Sequence, residues 1–285
     1  MATESISPTG VKGHEWQYNP RVSTNNVDFY RQRATELSSD FREGCPDFIA
    51  DVPYGDGEDE TLDIFLAEKN APAHLFLHGG YWRGRDKRDY SYLAAPMKAR
   101  GITLIVANYS LCPKVTLAHI VAQTTRCLEA LPNLAERYGF DSHRLTASGH
   151  SAGAHLLAAS LFSDSVSPTR GGIKAATLIS GIYDLEPVLG ISLNETIGLQ
   201  PRDVEMLSPM RFSARTDIAL DIVVGGQESP GWIAQSALFA EKCQKAGALA
   251  SLLIEPEENH FSIMEKYGTL QHPLCEKLCD MAASI

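Results

Sequence analysis

The sequence predicts an α/β fold with a mostly parallel central sheet and helices on both faces. Short apolar runs alternate with helix-like segments along most of the 285 residues, and several of these runs end at glycines. The length favours one large domain over two small ones. Ligands of such sheets bind beyond the carboxyl ends of the strands, so we expect functional residues directly after predicted strands.

The individual elements follow from periodicity. Leu62–Leu66 alternates apolar and polar residues, which predicts a half-exposed strand, whereas the continuous apolar run Ile102–Ala107 indicates a strand covered on both faces. Thr116–Tyr138 has helical spacing, and Pro132 is expected to end or kink that helix. The other predicted strands are His74–Leu77, Leu145–Ser148, Ala175–Ile179, Ile218–Val224 and Ser251–Ile254. The other predicted helices are Asn26–Phe41, Ala152–Leu161, Ile233–Ala246 and a C-terminal helix from about Leu270.

Composition also suggests how the chain is divided. Residues 1–25 are polar and punctuated by Gly and Pro, which predicts an N-terminal arm before a single domain over residues 26–285. Residues 186–217 interrupt the strand–helix alternation, since they carry several prolines and no clear strand. We expect this segment to form a small cap or lid over the site.

Charge and cysteine content limit the partners. The formal net charge is -10, and such a surface repels phosphate backbones, so we expect no nucleic-acid partner. The six cysteines form no CxxC pair and have no histidine at a metal-binding spacing, which favours free thiols in a reducing compartment and no metal site. The N-terminus does not resemble a signal peptide, and no apolar run reaches membrane-spanning length. We therefore expect a cytoplasmic protein without a membrane partner, and a homodimer is left open.

The segment Gly149–Gly153 matches the G-x-S-x-G pattern of a nucleophile elbow. It follows an apolar strand and begins an apolar helix, which is the context that this turn requires. The two glycines allow the strand and helix to approach closely, and the turn would raise the Ser151 hydroxyl into the cleft. The alternative is a coincidental Gly/Ser turn. We predict Ser151 as the nucleophile and the Ala152 N–H as one donor to an oxyanion.

The segment HGGYW at residues 78–82 ends an earlier strand. Loops of the H-G-G type supply backbone N–H groups to an oxyanion hole, so Gly79 and Gly80 are predicted to act beside Ala152. The alternative is a plain Gly-Gly turn. Tyr81 and Trp82 could be core aromatics, but their place after this loop makes pocket lining at least as good an interpretation.

The order of a catalytic triad after such an elbow is Ser, then Asp or Glu, then His. His260 follows the last predicted strand through a short loop and is the predicted general base. Glu228 is the only carboxylate in the loop after Ile218–Val224, and it is the predicted acid. Asp221 inside that strand is the alternative, while Asp184 follows the wrong strand.

Taken together, HGGYW at 78–82 and GHSAGAH at 149–155 resemble the arylformamidase, or kynurenine formamidase, branch of the α/β-hydrolases. Further agreement comes from DVPYG, LDIFL, ANYSLCP, SGIYDL and ESP, and the resemblance runs from about residue 50 to about residue 265. It implies an α/β-hydrolase fold, hydrolysis of N-formyl-L-kynurenine, and the triad Ser151, Glu228 and His260. Members of the branch often have Asp where this chain has Glu228.

The expected chemistry is acyl transfer through Ser151 on a small aryl formamide or related aromatic amide, with no cofactor. The aromatic ring of the substrate is expected to lie against Tyr81, Trp82, Tyr183 and Trp232. A carboxylesterase or another amidase is the alternative, because a fold does not fix the substrate. A non-catalytic binding protein on the same fold is a further alternative, although such proteins usually lack the nucleophile or the base.

Overall fold

The computed structural model describes residues 13–45, 47–162 and 172–285. Eight strands form one sheet in the order β1-β2-β4-β3-β5-β6-β7-β8. Strand β2 pairs antiparallel with β1 and β4, and every other pairing is parallel, so the predicted mostly parallel sheet is confirmed. The strands are β1 Ile49–Pro53, β2 Thr61–Phe65, β3 Ala73–Leu77, β4 Thr103–Ala107, β5 Leu145–His150, β6 Ile173–Ile179, β7 Ala219–Gly225 and β8 Ala250–Glu255.

Helices cover both faces of this sheet, because successive residues of the buried strands point to opposite sides. Leu75 and Leu77 of β3 belong to one apolar cluster, while Phe76 between them belongs to the other. The helices are α1 His14–Tyr18, α2 Pro20–Ser23, α3 Val27–Gly44, α4 Ala94–Ala99, α5 Leu117–Tyr138, α6 Ala152–Phe162, α7 Asn194–Ile197, α8 Pro201–Leu207, α9 Pro230–Lys245, α10 Ser262–Tyr267 and α11 Pro273–Ala283. Among the described residues, 3-10 helices occupy Lys87–Leu93, Glu186–Gly190 and Pro209–Arg211.

Strand β2 departs from the prediction of a half-exposed strand, because the residues of Leu62–Phe65 are all buried. The charged residue in this stretch, Asp63, is fully buried. Arg42 of α3 binds one of its carboxylate oxygens at 2.6 Å, and the Lys87 ammonium binds the other at 2.9 Å. Polar alternation indicated exposure, but two cations satisfy the carboxylate inside the protein. This ion-pair cluster also attaches α3 to the sheet.

Two other sequence expectations are refined. Strand β1, which periodicity did not reveal, is a short edge strand with mostly exposed or half-exposed residues. Helix α5 continues through Pro132 to Tyr138 and ends at Gly139, which has a left-handed φ of 83°. Pro132 therefore does not end this helix.

The described part of the predicted arm and the predicted cap segment both have defined secondary structure. Residues 13–25 of the predicted arm contain α1 and α2, and residues 1–12 lie outside the described part of the chain. The predicted cap, residues 186–217, consists of short helices and connecting loops without a strand. In the described residues, no helix is both long and apolar enough to cross a membrane.

Candidate active site

The turn between β5 and α6 places Ser151 at the carboxyl edge of the sheet. Ser151 has a left-handed φ of 56°, a conformation that costs energy for a non-glycine residue and recurs at functional sites. A Cβ on Gly149 would lie 2.4 Å from the Gly153 carbonyl oxygen, and one on Gly153 would lie 2.1 Å from the Leu77 oxygen. Only glycine fits at these two positions, which is why the G-x-S-x-G spacing produces this turn.

His260 lies directly beside the Ser151 hydroxyl. Its Nε2 atom is 3.0 Å from Ser151 Oγ, and both residues are 3% exposed. Strand β8 ends at Glu255, and the short loop that follows returns His260 to the end of β5. This distance is within the range in which an imidazole can accept the hydroxyl proton.

Glu228 completes a chain of three groups. One of its carboxylate oxygens lies 2.6 Å from His260 Nδ1. The other oxygen accepts hydrogen bonds from Ser180 Oγ at 2.5 Å and from the Gly225 N–H at 2.8 Å. Three hydrogen bonds therefore hold the two carboxylate oxygens of Glu228, whose side chain is 2% exposed. These bonds keep the longer side chain of glutamate in one conformation that reaches the imidazole.

The loops that carry the predicted acid and the predicted base are joined to each other. The Gly226 N–H donates to the Glu255 oxygen at 2.6 Å, and the Gln227 N–H donates to the Glu258 oxygen at 2.9 Å. A Cβ on Gly225 would lie 2.4 Å from the Glu258 carbonyl oxygen, so glycine permits this close approach. These backbone contacts hold the spacing between the carboxylate and the imidazole.

The two alternative acids lie elsewhere. Asp221 is within β7, where it accepts a hydrogen bond from Ser251 Oγ at 2.5 Å and pairs with Lys277 at 2.8 Å. Asp184 accepts a hydrogen bond from the N–H of Glu186, the first residue of a 3-10 helix. Neither carboxylate contacts the histidine.

The predicted oxyanion loop borders the nucleophile. A Cβ built on Gly79 would lie 3.2 Å from Ser151 Cβ, so the two backbones are in close contact. Gly80 has a φ of 116°, and a Cβ there would lie 2.0 Å from the Gly84 oxygen. In the described part of the chain, the N–H groups of Gly79, Gly80 and Ala152 have no hydrogen-bond acceptor. Gly79 lies against Ser151, and Gly80 lines the same cavity as Ser151, so these N–H groups and that of Ala152 stay the predicted donors to an oxyanion.

His78 at the start of this loop is held by its neighbours. Its Nδ1 atom lies 2.7 Å from the Gly79 oxygen, and Nε2 lies 3.0 Å from Asn108 Oδ1. Its ring stacks on Tyr109, with 4.2 Å between the ring centroids. Burial lowers the pKa of His78, so it is suited to shaping the loop rather than transferring protons.

A cavity of about 170 Å³ opens over Ser151 and His260. One side is formed by the oxyanion loop, the second by Phe261 and α10, and the third by residues of α2 and α3. Leu193, from the predicted cap segment, also borders it. In the described residues, no group of three or more His, Cys, Asp and Glu side chains could hold a metal ion.

Comparison with known proteins assigns the family. The chain is 31% identical over 277 residues to kynurenine formamidase of Danio rerio, covering 93% of this chain and 92% of that protein. It is 34% identical to kynurenine formamidase of Drosophila melanogaster, covering 87% and 85% of the two chains. The chain belongs to the kynurenine formamidase family. Residues 62–169 also match the family described as BD-FAE.

Structural comparison agrees with this assignment. The crystal structure of a candidate thioesterase from Silicibacter sp. TM1040 superposes with a TM-score of 0.82 at 28% identity, covering 93% of this chain and 98% of that one. The protein is therefore a hydrolase of the α/β-hydrolase fold, in the kynurenine formamidase family.

Within this family fold, the aromatic residues expected to form the substrate pocket occupy different places. Tyr81 borders the cavity, but Trp82, Tyr183 and Trp232 do not, so the prediction is corrected for these three. Trp82 and Tyr183 are fully buried, and Tyr183 stacks on Phe239 with 4.2 Å between centroids. Complete burial of a large aromatic ring stabilises the fold more than partial exposure at a cavity does. The sequence does not show whether a ring after a loop turns towards the core or towards the cavity.

Trp232 contacts the proposed triad outside the cavity lining. Its indole N–H donates to the Ser180 carbonyl oxygen at 2.7 Å, and its ring meets the His260 ring edge to face at 4.7 Å. Ser180 in turn binds Glu228, so one indole contacts both the base and the residue that holds the acid. Ser180 has a left-handed φ of 49°. It begins the segment SGIYDL, which agrees with the family resemblance, but that resemblance predicted no role for this residue.

His150, the variable residue of the elbow, is a further residue that sequence reasoning did not assign. Its Nε2 donates to the His260 carbonyl oxygen at 2.8 Å, which joins the elbow to the base loop. Burial lowers the pKa of His150 well below its usual value, and the neighbouring His260 lowers it further. A neutral His150 contributes no charge that would oppose protonation of His260 during a reaction.

Proposed function

We propose that the protein hydrolyses an aryl formamide of the N-formyl-L-kynurenine type through a formyl-enzyme on Ser151. The observation that carries the proposal is the hydrogen-bonded chain Glu228–His260–Ser151. It occurs in a protein that is 31% identical, over 93% of its length, to a kynurenine formamidase. Site and family together point to one reaction class, acyl transfer from an amide to water.

In the first half-reaction, His260 Nε2 takes the proton of Ser151 as Oγ attacks the formyl carbon. The C–O bond forms while the carbonyl becomes an oxyanion, and in this proposal the N–H groups of Gly79, Gly80 and Ala152 donate hydrogen bonds to it. When the tetrahedral intermediate collapses, the C–N bond breaks, and His260 returns its proton to the aryl amine. The amine leaves, and Ser151 carries the formyl group.

In the second half-reaction, a water molecule loses a proton to His260 and attacks the formyl ester. The same donors hold the second oxyanion, and Ser151 Oγ leaves as it regains the proton from His260. Glu228 orients the imidazole through Nδ1 and stabilises its positive charge in both half-reactions. Because Ser180 and Gly225 already bind its second oxygen, the carboxylate need not reorganise as that charge appears.

An ester or thioester hydrolase is the second candidate. The solved structure with a TM-score of 0.82 is described as a candidate thioesterase, and an ester carbonyl could use the same nucleophile, base and oxyanion donors. The two candidates differ in the leaving group, since an aryl amine needs a proton from His260 more than a phenolate or thiolate does.

The test compares kcat/KM for N-formyl-L-kynurenine with that for p-nitrophenyl acetate in the purified protein. The proposal expects efficient release of formate from the formamide, and loss of that activity in Ser151→Ala. Turnover of the activated ester alone, with no formate released from aryl formamides, would contradict the formamidase proposal and favour the second candidate.

A further inference from the structure

The cavity over Ser151 has a charge that differs from that of the whole protein. Its lining includes four arginines but only one carboxylate, Glu265, although the chain has a formal net charge of -10. We call the arginines the cationic rim; its members are Arg21, Arg31, Arg83 and Arg85. A cleft lined by one sign of charge concentrates ligands of the opposite sign.

Two members of the cationic rim already have partners. The Arg85 Nε atom lies 3.2 Å from Asp89, an Nη2 hydrogen donates to the Arg31 carbonyl oxygen at 3.4 Å, and its guanidinium lies over the Tyr90 ring. Arg31 pairs with Asp28 at 3.8 Å, but the Asp28 side chain is 94% exposed. An ion pair this exposed contributes little to stability, so the charge of Arg31 is only weakly compensated. The charge of Arg85 is largely compensated by Asp89, and its side chain is held in place.

Arg83 is the half-buried member whose charge is unpaired. Its guanidinium makes no ion pair or hydrogen bond with any other residue that the structure describes, and the same is true of the exposed Arg21. The Arg83 backbone N–H donates to the Gly80 oxygen at 3.2 Å, which closes a turn directly after the oxyanion loop. The turn therefore fixes the start of an unpaired cationic side chain next to Gly80, in the lining of the same cavity as Ser151.

We propose that the cationic rim binds a carboxylate on the aryl side of the substrate, and that Arg83 is the specificity-determining residue. This inference rests on the proposed function. The acyl part of a formamide consists only of the carbonyl group and one hydrogen. Any anionic group of the substrate must therefore lie on the other side of the scissile bond, in the aryl amine. A guanidinium binds the two oxygens of a carboxylate through paired N–H donors, which a lysine cannot reproduce.

The experiment measures kcat and KM for two ortho-formamidophenyl ketones, one ending in a carboxylate and its isostere ending in a methyl group. The variants are Arg83→Gln, Arg83→Lys and, as a control with the same charge change outside the cavity, Arg202→Gln, whose side chain is 82% exposed. Arg83→Gln should raise KM for the carboxylate substrate by about tenfold or more with little change in kcat. KM for the methyl isostere should stay the same.

Two further readouts separate recognition from a structural effect. Arg83→Lys should recover part of the affinity for the carboxylate, since it keeps the charge but loses the paired geometry. Higher ionic strength should raise KM for the carboxylate substrate in the wild type and Arg202→Gln, with a smaller effect in Arg83→Gln. Equal losses for both substrates, or no change for either, would overturn the proposal.

Failure of this inference can be distinguished from failure of the proposed function. If the wild type releases no formate from either ketone, aryl formamidase activity is absent. Aryl acetates with and without a carboxylate on the phenol then provide the same comparison of Arg83 variants. If Arg83→Gln raises KM only for the aryl acetate that carries a carboxylate, the cationic rim still binds carboxylates. If KM for the two acetates changes equally or not at all, the proposal for the cationic rim is rejected.

Discussion

The floor and the wall of the cavity are built in different ways. The floor consists of Ser151, His260 and Glu228, which are buried and joined by hydrogen bonds at the carboxyl ends of β5, β7 and β8. The N-terminal wall, which we define as residues 13–34, lines the cavity with Pro20, Tyr30 and two arginines, and its Arg33 pairs with Glu265 of α10 at 3.6 Å. The floor thus holds the groups suited to acyl transfer, and the wall adds the groups suited to choosing a substrate.

A few long-range hydrogen bonds attach the wall to the loops that border the floor. The Tyr81 hydroxyl donates to the Tyr18 oxygen at 2.5 Å, and the Gly231 N–H donates to Gln17 Oε1 at 2.7 Å. The Ser229 hydroxyl donates to the Gln17 oxygen, next to the proposed acid. The N-terminal segment therefore contacts both the loop that contains Tyr81 and the loop that follows Glu228. Because the wall lines the cavity but supplies no proposed reacting group, we expect substitutions in the wall to change KM more than kcat.

The largest expected effect concerns the floor. Ser151→Ala and His260→Ala should each lower kcat by roughly 10⁴- to 10⁶-fold, because the three groups act as one unit. For the same reason the double variant should lose little more than either single variant. Steady-state kinetics with N-formyl-L-kynurenine measures this, and multiplicative losses would show that the two residues act independently.

Removing the charge of the proposed acid should come next. Glu228→Gln keeps the shape of the side chain but cannot stabilise an imidazolium, so kcat should fall by about 10²- to 10⁴-fold. Asp221→Asn is the matched control, because Asp221 is a carboxylate that makes no contact with His260. Loss of activity in the control with activity retained in Glu228→Gln would mean that the acid is assigned wrongly.

The oxyanion loop should be sensitive to a single methyl group. Gly80→Ala would place Cβ 2.0 Å from the Gly84 oxygen, so the loop must move and kcat should fall by about 10²- to 10³-fold. Gly198→Ala is the control, since Gly198 also has a positive φ, 74°, but no atom within 4 Å of the added Cβ. The control should lose about 1 kcal/mol of unfolding free energy and keep its kcat. Equal kcat values in the two variants would contradict this role of the loop.

Acid should destabilise the fold through three buried histidines outside the floor. Burial lowers the pKa of His74 to about 3, that of His155 to about 4 and that of His150 well below 6.5. Between pH 6.5 and about 4, the unfolded chain binds protons that the folded chain does not, so the free energy of unfolding decreases as pH falls. Each histidine contributes about 1.4 kcal/mol per pH unit in this range. Urea unfolding at a series of pH values measures the slope, and a flat or opposite slope would contradict neutral buried histidines.

The smallest effect is expected where the wall meets the oxyanion loop. Tyr81→Phe removes the hydroxyl that binds the Tyr18 oxygen and keeps the ring beside the cavity. It should cost about 1 kcal/mol of unfolding free energy and raise KM severalfold with little change in kcat. A large fall in kcat with unchanged KM would mean that the wall takes part in the chemistry.

The difference between floor and wall also explains what the sequence could predict. The positions of Ser151, Glu228 and His260 follow from local spacing, because each comes directly after a strand whose apolar pattern is visible. The wall depends on contacts between distant residues, such as the one between Gln17 and Gly231, and its own sequence is polar and irregular. No local pattern shows where such a segment packs.

Two individual residues illustrate the same limit. The polar alternation around Asp63 is typical of an exposed strand face, and only the partners Arg42 and Lys87 make its burial favourable. Trp232 follows the acid loop and is aromatic, which suggested a substrate wall. Its indole N–H instead donates a hydrogen bond to the carbonyl oxygen of Ser180, and the ring does not line the cavity. In both cases a long-range partner decides the outcome.

The most direct test of the account is mass spectrometry of the protein after reaction with a fluorophosphonate probe. We expect one adduct, located on the peptide that carries Ser151, and no adduct in Ser151→Ala. An unmodified wild-type protein, or an adduct that persists in Ser151→Ala, would contradict the claim that this hydroxyl is the activated nucleophile.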